Sequence, residues 1–527
     1  LTRLFADPDL LGWAYQFYQH EARAKINAKC RRGEKVVSRA ELVAKTQIFT
    51  EEYIVDWLLQ NSLGRCYREA YPRSSLPASW PLAFTPDESD GPPERVWSLE
   101  ELTLLDPCMG CGHFLRAAFD LLVAMYREQY PHMSMMTLVE RVFARHLFGI
   151  DLDAQAVQIG KLTLLLRAWE LLSVEYGTPT LHVPPLMHLI TIPSRLTPGS
   201  LARHLQRFPE DLPYQAYLEP IFTGLEQIDL LGSLLCLRTR LDAAAAETDS
   251  ASHLPSGLLE RLAASCAAEE MTARRNGLAG DQAGSLLHLL NGRYTVVATN
   301  PPYLDSRDMQ ETLRMYIAAH YQAGKRDLYT AFMLRCLDLC QPQGRLALVT
   351  MQSWMFNRSF AELRAGRGQQ TDGRDFGGLL RAASLEALVH LGAHSFEEIA
   401  GQIVQCAMFV FRQRPPREDF RTRAWRLVGM KSAEEKRAAL LKTGEQNTEH
   451  LQSRTRQGSF LALREAPLVY YLSDDLMRLL TENETLESIA HVRQGLATAE
   501  NARFTRCFWE IAPDSSLRRR WFRYARG

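Results

Sequence analysis

Between residues 102 and 411 short apolar runs alternate with amphipathic stretches, and this alternation leaves a chain few ways to fold. The runs at 102–105, 146–150, 294–299, 345–350, 385–391 and 404–411 are strand candidates, and helical periodicity fills most of the intervals. Short, almost continuously apolar strands are buried on both faces, and helices between them supply the crossovers that parallel pairing needs. The pattern predicts an α/β fold, a mainly parallel sheet with helices on both faces.

The flanking regions read differently. Residues 1–95 form a helical N-terminal region: Leu11, Trp13, Tyr15, Phe17 and Tyr18 precede the basic residues Arg23, Lys25, Lys29, Arg31 and Arg32. These basic groups suit phosphate contacts, although a solvated helix face is the commoner cause of such a run. Thr50 is an N-cap candidate, followed by two acids and apolar residues at helical spacing, so a helix is expected near 50–60. Residues 70–95, rich in Pro, Ser and Asp, read as a surface loop. The α/β core then spans 96–415 with an Ala- and Glu-rich helical insertion at about 238–285, a helical connector covers 416–490, and 491–527 is the Arg- and aromatic-rich start of a further domain.

Composition narrows the setting. With 46% apolar residues in 527, the chain can fill a large core. Sixty-one Lys and Arg balance sixty-one Asp and Glu, so any nucleic-acid contact rests on a local basic surface. The ten cysteines are scattered, which points to a reducing compartment, the cytoplasm by default. No apolar stretch reaches the roughly 20 residues of a membrane span, and no signal pattern opens the chain, so no membrane partner is expected. Starting at Leu1 and stopping at Gly527 without a terminating element, the sequence reads as a fragment of something longer.

Two motifs carry chemistry. After the first apolar run, Asp106-Pro107-Cys108-Met109-Gly110-Cys111-Gly112-His113-Phe114 passes through a Gly-rich turn into a helix. Glycines there let backbone approach a ligand at the carboxyl edge of a sheet. Asp106 would order the loop or accept from an ammonium group of the ligand. Asp151 ends the next run, where a carboxylate accepts from ribose hydroxyls; it is better placed than Asp153, and a helix N-cap is the alternative. Its separation from Gly112 exceeds the ~20 residues of a dinucleotide-binding unit, which argues against a nicotinamide cofactor. Cys108 and Cys111 have the spacing of a metal or redox pair, but no second pair matches, so no metal is expected.

The second motif, Asn300-Pro301-Pro302-Tyr303, follows another apolar run. The Asn300 side-chain oxygen and the Pro301 carbonyl can both accept from an exocyclic amine and aim its lone pair. The prolines fix the turn, and Tyr303 is placed to stack on a base, which has to leave a duplex to reach it. Asn is no general base and none is needed, because an amine sheds its proton after attacking a sulfonium methyl. A proline turn with Tyr packed on the surface is the alternative. Phe396 is a candidate second ring or a core phenylalanine; Asp229 is a candidate acceptor for an adenine amine or a solvated loop acid. Taken jointly, in this order, the motifs read as an S-adenosylmethionine (SAM) site, with Gly110 and Gly112 against the methionine part, facing a slot for a planar amine.

The order of 50–55, 106–114, Asp151, 300–303 and Phe396 resembles the γ-arranged N6-adenine DNA methyltransferases. Within them, Leu10-Leu11-Gly12-Trp13-Ala14-Tyr15-Gln16, Thr46-Gln47-Ile48-Phe49-Thr50, Met351-Gln352-Ser353-Trp354-Met355-Phe356 and Arg493-Gln494-Gly495-Leu496 resemble the methyltransferases of bacteriophage exclusion (BREX) systems. The resemblance implies a Rossmann-like SAM-dependent methyltransferase sheet, a donor-contacting helix bearing Thr50, double-stranded DNA as substrate, other BREX proteins as partners, and a truncated target recognition domain at 491–527. One departure stands out: Cys108-Met109-Gly110-Cys111 replaces the usual Ala-Cys-Gly-Ser and puts a bulky Met in a small position, which bears on donor affinity. Two other functions stay open. The same tetrapeptide serves N-methylation of RNA or of protein glutamine, and a DNA-binding scaffold subunit with a silent site would use the Arg-rich end on phosphates.

Overall fold

The computed structural model describes residues 10–85, 91–177, 186–193, 201–237, 257–258, 260–265, 282–366, 377–396, 404–442, 451–484, 486–491, 504–507 and 510. Its strands are β1 (Leu104–Asp106), β2 (Leu147–Asp151), β3 (His188–Thr191), β4 (Tyr294–Thr299), β5 (Cys340–Met351), β6 (Ser384–Gly392), β7 (Cys406–Arg412), β8 (Arg421–Arg426) and β9 (Gln452–Arg456). They form one sheet in the order β3-β2-β1-β4-β5-β7-β6-β8-β9. β1 to β5 run parallel, β7 is reversed between β5 and β6, β8 is parallel to β6, and β9 closes the edge antiparallel.

Successive strand residues enter different cores. Leu105, Val297, Leu346 and Leu348 join one apolar cluster, whereas Leu104, Val296, Ala347 and Val349 join another on the opposite face. This two-sided burial is why β4 and β7 read as largely apolar runs, and why β6, buried throughout, is mostly apolar with Glu386 and His390 within it. The helices before and between the early strands are α1 (Leu10–Arg31), α2 (Arg39–Thr46), α3 (Glu52–Gln60), α4 (Leu63–Ala70), α5 (His113–Gln129), α6 (Met135–Arg145) and α7 (Ala154–Tyr176). Apolar residues of α3 and of α5 to α7 pack in the second cluster, and those of the helix Leu328–Leu339 mostly in the first.

Several expectations need correction. The stretch 416–490, read as a helical connector, contributes β8 and β9 besides the helix Ala433–Leu441. β8 is Arg- and Thr-rich with only Ala424 and Trp425 apolar, and β9 has no apolar residue, the composition of strands near a sheet edge rather than of an apolar run. β3 is four residues long and was missed as well. Residues 70–95 are more than a surface loop: Trp80 and Leu82 are buried, and Asn61 straps the segment to the end of α3 through Leu82 O at 2.9 Å and Phe84 N at 2.8 Å. Glu51, not Thr50, occupies the N-cap of α3. Three of the N-terminal basic residues form ion pairs, Lys25 with Glu21, Lys29 with Glu41 and Arg32 with Glu34.

Residues Leu472–Gly527 form a separate compact unit containing the helix Asp474–Glu482, capped by Ser473. Most of the insertion at 238–285 and most of 491–527, including the motif at Arg493-Gln494-Gly495-Leu496, lie outside the described residues. Among those described, no helix is long and apolar enough to cross a membrane.

Candidate active site

The sheet order reverses between β1 and β4, since β1 leads outward to β2 and β3 while β4 leads to β5. Crevices at the carboxyl ends of such a pair are where open α/β sheets bind ligands. The glycine loop leaves β1 there, and Asn300 leaves β4. Two adjoining cavities open at this point, and Gln47, Ile48, Cys108, Gly110 and Asn300 line both. The first holds about 750 Å³ of empty space including its open mouth. Asp151, Ile192, residues 230–234, Pro302 and Phe332 line it, a largely apolar wall with few polar groups. Thr50, Asp106, Met109, His113 and Phe114 line the second, together with Gly12 and Gln16 of α1.

The glycine loop is stapled to the end of β2. Met109 N donates to Ile150 O at 3.0 Å, Gly110 N to Asp151 Oδ2 at 2.8 Å, and Cys108 N to Asp106 Oδ1 at 3.1 Å. Gly110 and Gly112 have φ of 50° and 85°, in the left-handed region that favours glycine. A Cβ on Gly112 would lie 3.3 Å from Gly160 Cα, so loop and α7 are in backbone contact. The bulk of Met109 is taken up here: the side chain is 3% exposed, and its Sδ and Cε fill the space that a Cβ on Gly149 or Gly160 would need, at 2.6 and 2.7 Å.

Two carboxylates border the cavities. Asp106 is 1% exposed, and burial pushes its carboxyl up to about 7, with the Cys108 N–H opposing. Its Oδ2 is buried with no partner in hydrogen-bond geometry, an unpaired acceptor that a ligand cation would satisfy. Burial likewise raises Asp151 to about 6, against the N–H groups of Asp153 and Gly110. The N-cap alternative belongs to its neighbour: Asp153 caps α7 through Gln155 N at 3.0 Å and accepts from Tyr15 at 2.5 Å. Asp229 lines neither cavity; it is half-buried in the helix Ile228–Leu231, near the Arg39 guanidinium.

At the Asn-Pro-Pro-Tyr corner, Asn300 Nδ2 donates to Thr50 Oγ1 at 3.1 Å, and Asn300 Oδ1 accepts from the Tyr303 hydroxyl at 2.6 Å. Pro301 is buried and lines neither cavity, whereas Pro302 lines the first. The Tyr303 ring does not stand open to a base. It is 9% exposed, packs edge-on against Tyr329 at 5.9 Å, and lines neither cavity. Phe396, 5% exposed, follows the core-phenylalanine alternative, in the same cluster as Tyr53, whose hydroxyl reaches Ser395 O at 3.3 Å.

Sequence reasoning missed α1 as a wall of the site. Gln16 Oε1 accepts from Phe49 N, Trp13 stacks on Phe49 at 3.8 Å between ring centroids, and His113 meets the Phe49 ring edge-on at 4.0 Å. The aromatic run at 13–18 was the available signal, but it does not reveal what the rings pack against.

A parallel sheet with reversed β7 wedged between β5 and β6, a glycine turn after β1 and Asn-Pro-Pro-Tyr after β4 define a Rossmann-like methyltransferase fold. Residues 145–376 match the Eco57I restriction-modification methylase family. The chain is 28% identical, over 95% of its length, to the adenine-specific methyltransferase PglX of Lacticaseibacillus casei (strain Zhang), of which it covers 40%. It is also 28% identical, over 77% of its length, to the adenine-specific methyltransferase BrxX of Escherichia coli O9:H4 (strain HS), of which it covers 33%. The chain therefore spans well under half the length of these relatives, and the resemblance to BREX methyltransferases read from its motifs extends across most of its own length.

Proposed function

We propose that this chain carries the catalytic part of a SAM-dependent DNA adenine N6-methyltransferase acting in a bacterial phage-defence system, in the cytoplasm. One observation carries the reading: Gly110 of the glycine loop and Asn300 of the acceptor corner line the same two adjoining cavities. SAM, when bound, supplies an electrophilic methyl on sulfur. The unpaired Oδ2 of Asp106 suits its ammonium group, the backbone at Gly110 and Gly112 its methionine part, and Asp151 its ribose hydroxyls. The apolar first cavity suits the adenosine end. Asn300 Oδ1, which has a second lone pair beside the one Tyr303 uses, accepts from the target amine. Orientation is then the main catalytic device, and the target base must be extruded from the duplex to reach the corner. Other BREX proteins are the proposed partners.

Asn300→Ala is expected to abolish methyl transfer to DNA while donor affinity stays within about twofold, the usual mark of a group that acts on the reaction rather than on binding. Labelled-donor assays on DNA, RNA and a glutamine-bearing protein provide the check. Methylation by the variant at the wild-type rate, or wild-type transfer to RNA or protein but not DNA, would overturn the reading.

A further inference from the structure

We propose that Thr50 is a positioning residue for Asn300, holding the side-chain amide in place at the reacting corner; this rests on the function proposed above. An amide accepts from a substrate amine only when its oxygen is held within hydrogen-bond reach, so a side chain free to swing is a poor acceptor. Thr50 Oγ1 holds Nδ2 at 3.1 Å, while the Tyr303 hydroxyl donates to Oδ1 at 2.6 Å. Both partners are hydroxyls that can donate or accept, so together they hold the position and plane of the amide rather than choosing between its ends. Thr50 supplies the other point of the clamp.

Its own position is well determined. Thr50 is 5% exposed, and the adjacent Phe49 is held from α1 through Gln16 on its N–H and Trp13 on its ring. The N-terminal arm thereby reaches the reacting corner through a single hydroxyl, and the amide is oriented before substrate arrives.

The test uses the intact protein with Thr50→Val and Thr50→Ser, measuring SAM Kd by calorimetry, kcat and KM on duplex DNA with labelled SAM, and the unfolding midpoint. Val is expected to lower kcat by about ten- to a hundredfold, with SAM Kd within about threefold and the midpoint unchanged; Ser, which keeps the hydroxyl, should restore kcat to within about threefold. Weaker SAM binding at unchanged kcat would make Thr50 a donor contact instead. Equal losses in Val and Ser, or no loss in Val, would also overturn the proposal. Absence of transfer to DNA by the wild type would overturn it together with the function on which it rests.

Discussion

Gly110→Ala separates folding from donor binding. The residue has φ of 50°, and a Cβ built there meets no protein atom within 4 Å. The folded state therefore bears only the backbone cost of a non-glycine in the left-handed region, about 1–2 kcal/mol. Escape to a negative φ is opposed by the bond from Gly110 N to Asp151 Oδ2 at 2.8 Å, a charge-assisted contact of about 1.5–3 kcal/mol. The backbone stays, and the added methyl stands in space bordered by both cavities. Donor affinity should fall at least about tenfold, or about 1.4 kcal/mol. Gly33→Ala is the control: φ is 80°, no protein atom lies within 4 Å of its Cβ, and Gly33 lines neither cavity, so it bears similar strain without touching the site. Calorimetry with SAM and urea unfolding without it report the two quantities separately. If both variants lose similar stability and both bind SAM as the wild type does, the donor does not sit against Gly110 and the functional reading loses its donor site.

Other expectations test the charges. Burial raises Asp106 to about 7, so its protonated form favours the folded state: the stability it contributes is full below the unfolded value of about 3.9 and is lost as pH rises through about 7. A ligand ammonium favours the ionised carboxylate, so SAM affinity should increase from about pH 6 to 8 in the wild type and flatten in Asp106→Asn; calorimetry showing no pH dependence in the wild type would remove that role. Arg345 is fully buried, paired to Glu69 at 2.6 Å and to Glu386 at 2.8 Å. Arg345→Met removes the nearest cation from both carboxylates but leaves Arg65 at 3.3 Å and Arg412 at 3.5 Å from Glu69, and Arg412 at 3.8 Å from Glu386. It should destabilise by about 1.5–3 kcal/mol in chemical unfolding, and no measurable change would contradict the pairing. Although burial alone would raise Glu386, the guanidinium outweighs it and lowers the carboxyl to about 2; its contribution is full above the unfolded value of about 4.3 and is lost as pH falls toward 2, measurable as acid-induced unfolding.

How much of this was legible in the sequence depends on where each signal resides. β4 was read to its bounds at 294–299 because all six residues are buried and the run is uninterrupted. β8 and β9 were missed because arginines with long stems and threonines satisfy an edge position without an apolar run. The placement of Asp106 and Asn300 at the cavities was legible because the carboxyl ends of parallel strands on either side of a reversal open into a crevice. The directions of side chains were not. Met109 looked too bulky because the room for it is made by Gly149 and Gly160, on β2 and α7, far along the chain. Tyr303 looked like a stacking platform because nothing in a tetrapeptide shows that its ring meets Tyr329 and its hydroxyl meets Asn300. Thr50 was read as a cap and a donor contact, two local roles, while its visible bond is to a residue 250 positions away. A motif specifies which atoms arrive at a strand end, and tertiary packing decides what holds them there. The arm built by α1 to α3 accordingly belongs to the site's machinery as much as the loop and the corner do, and a change at Gln16 or Trp13 should be felt at Asn300 through Phe49 and Thr50.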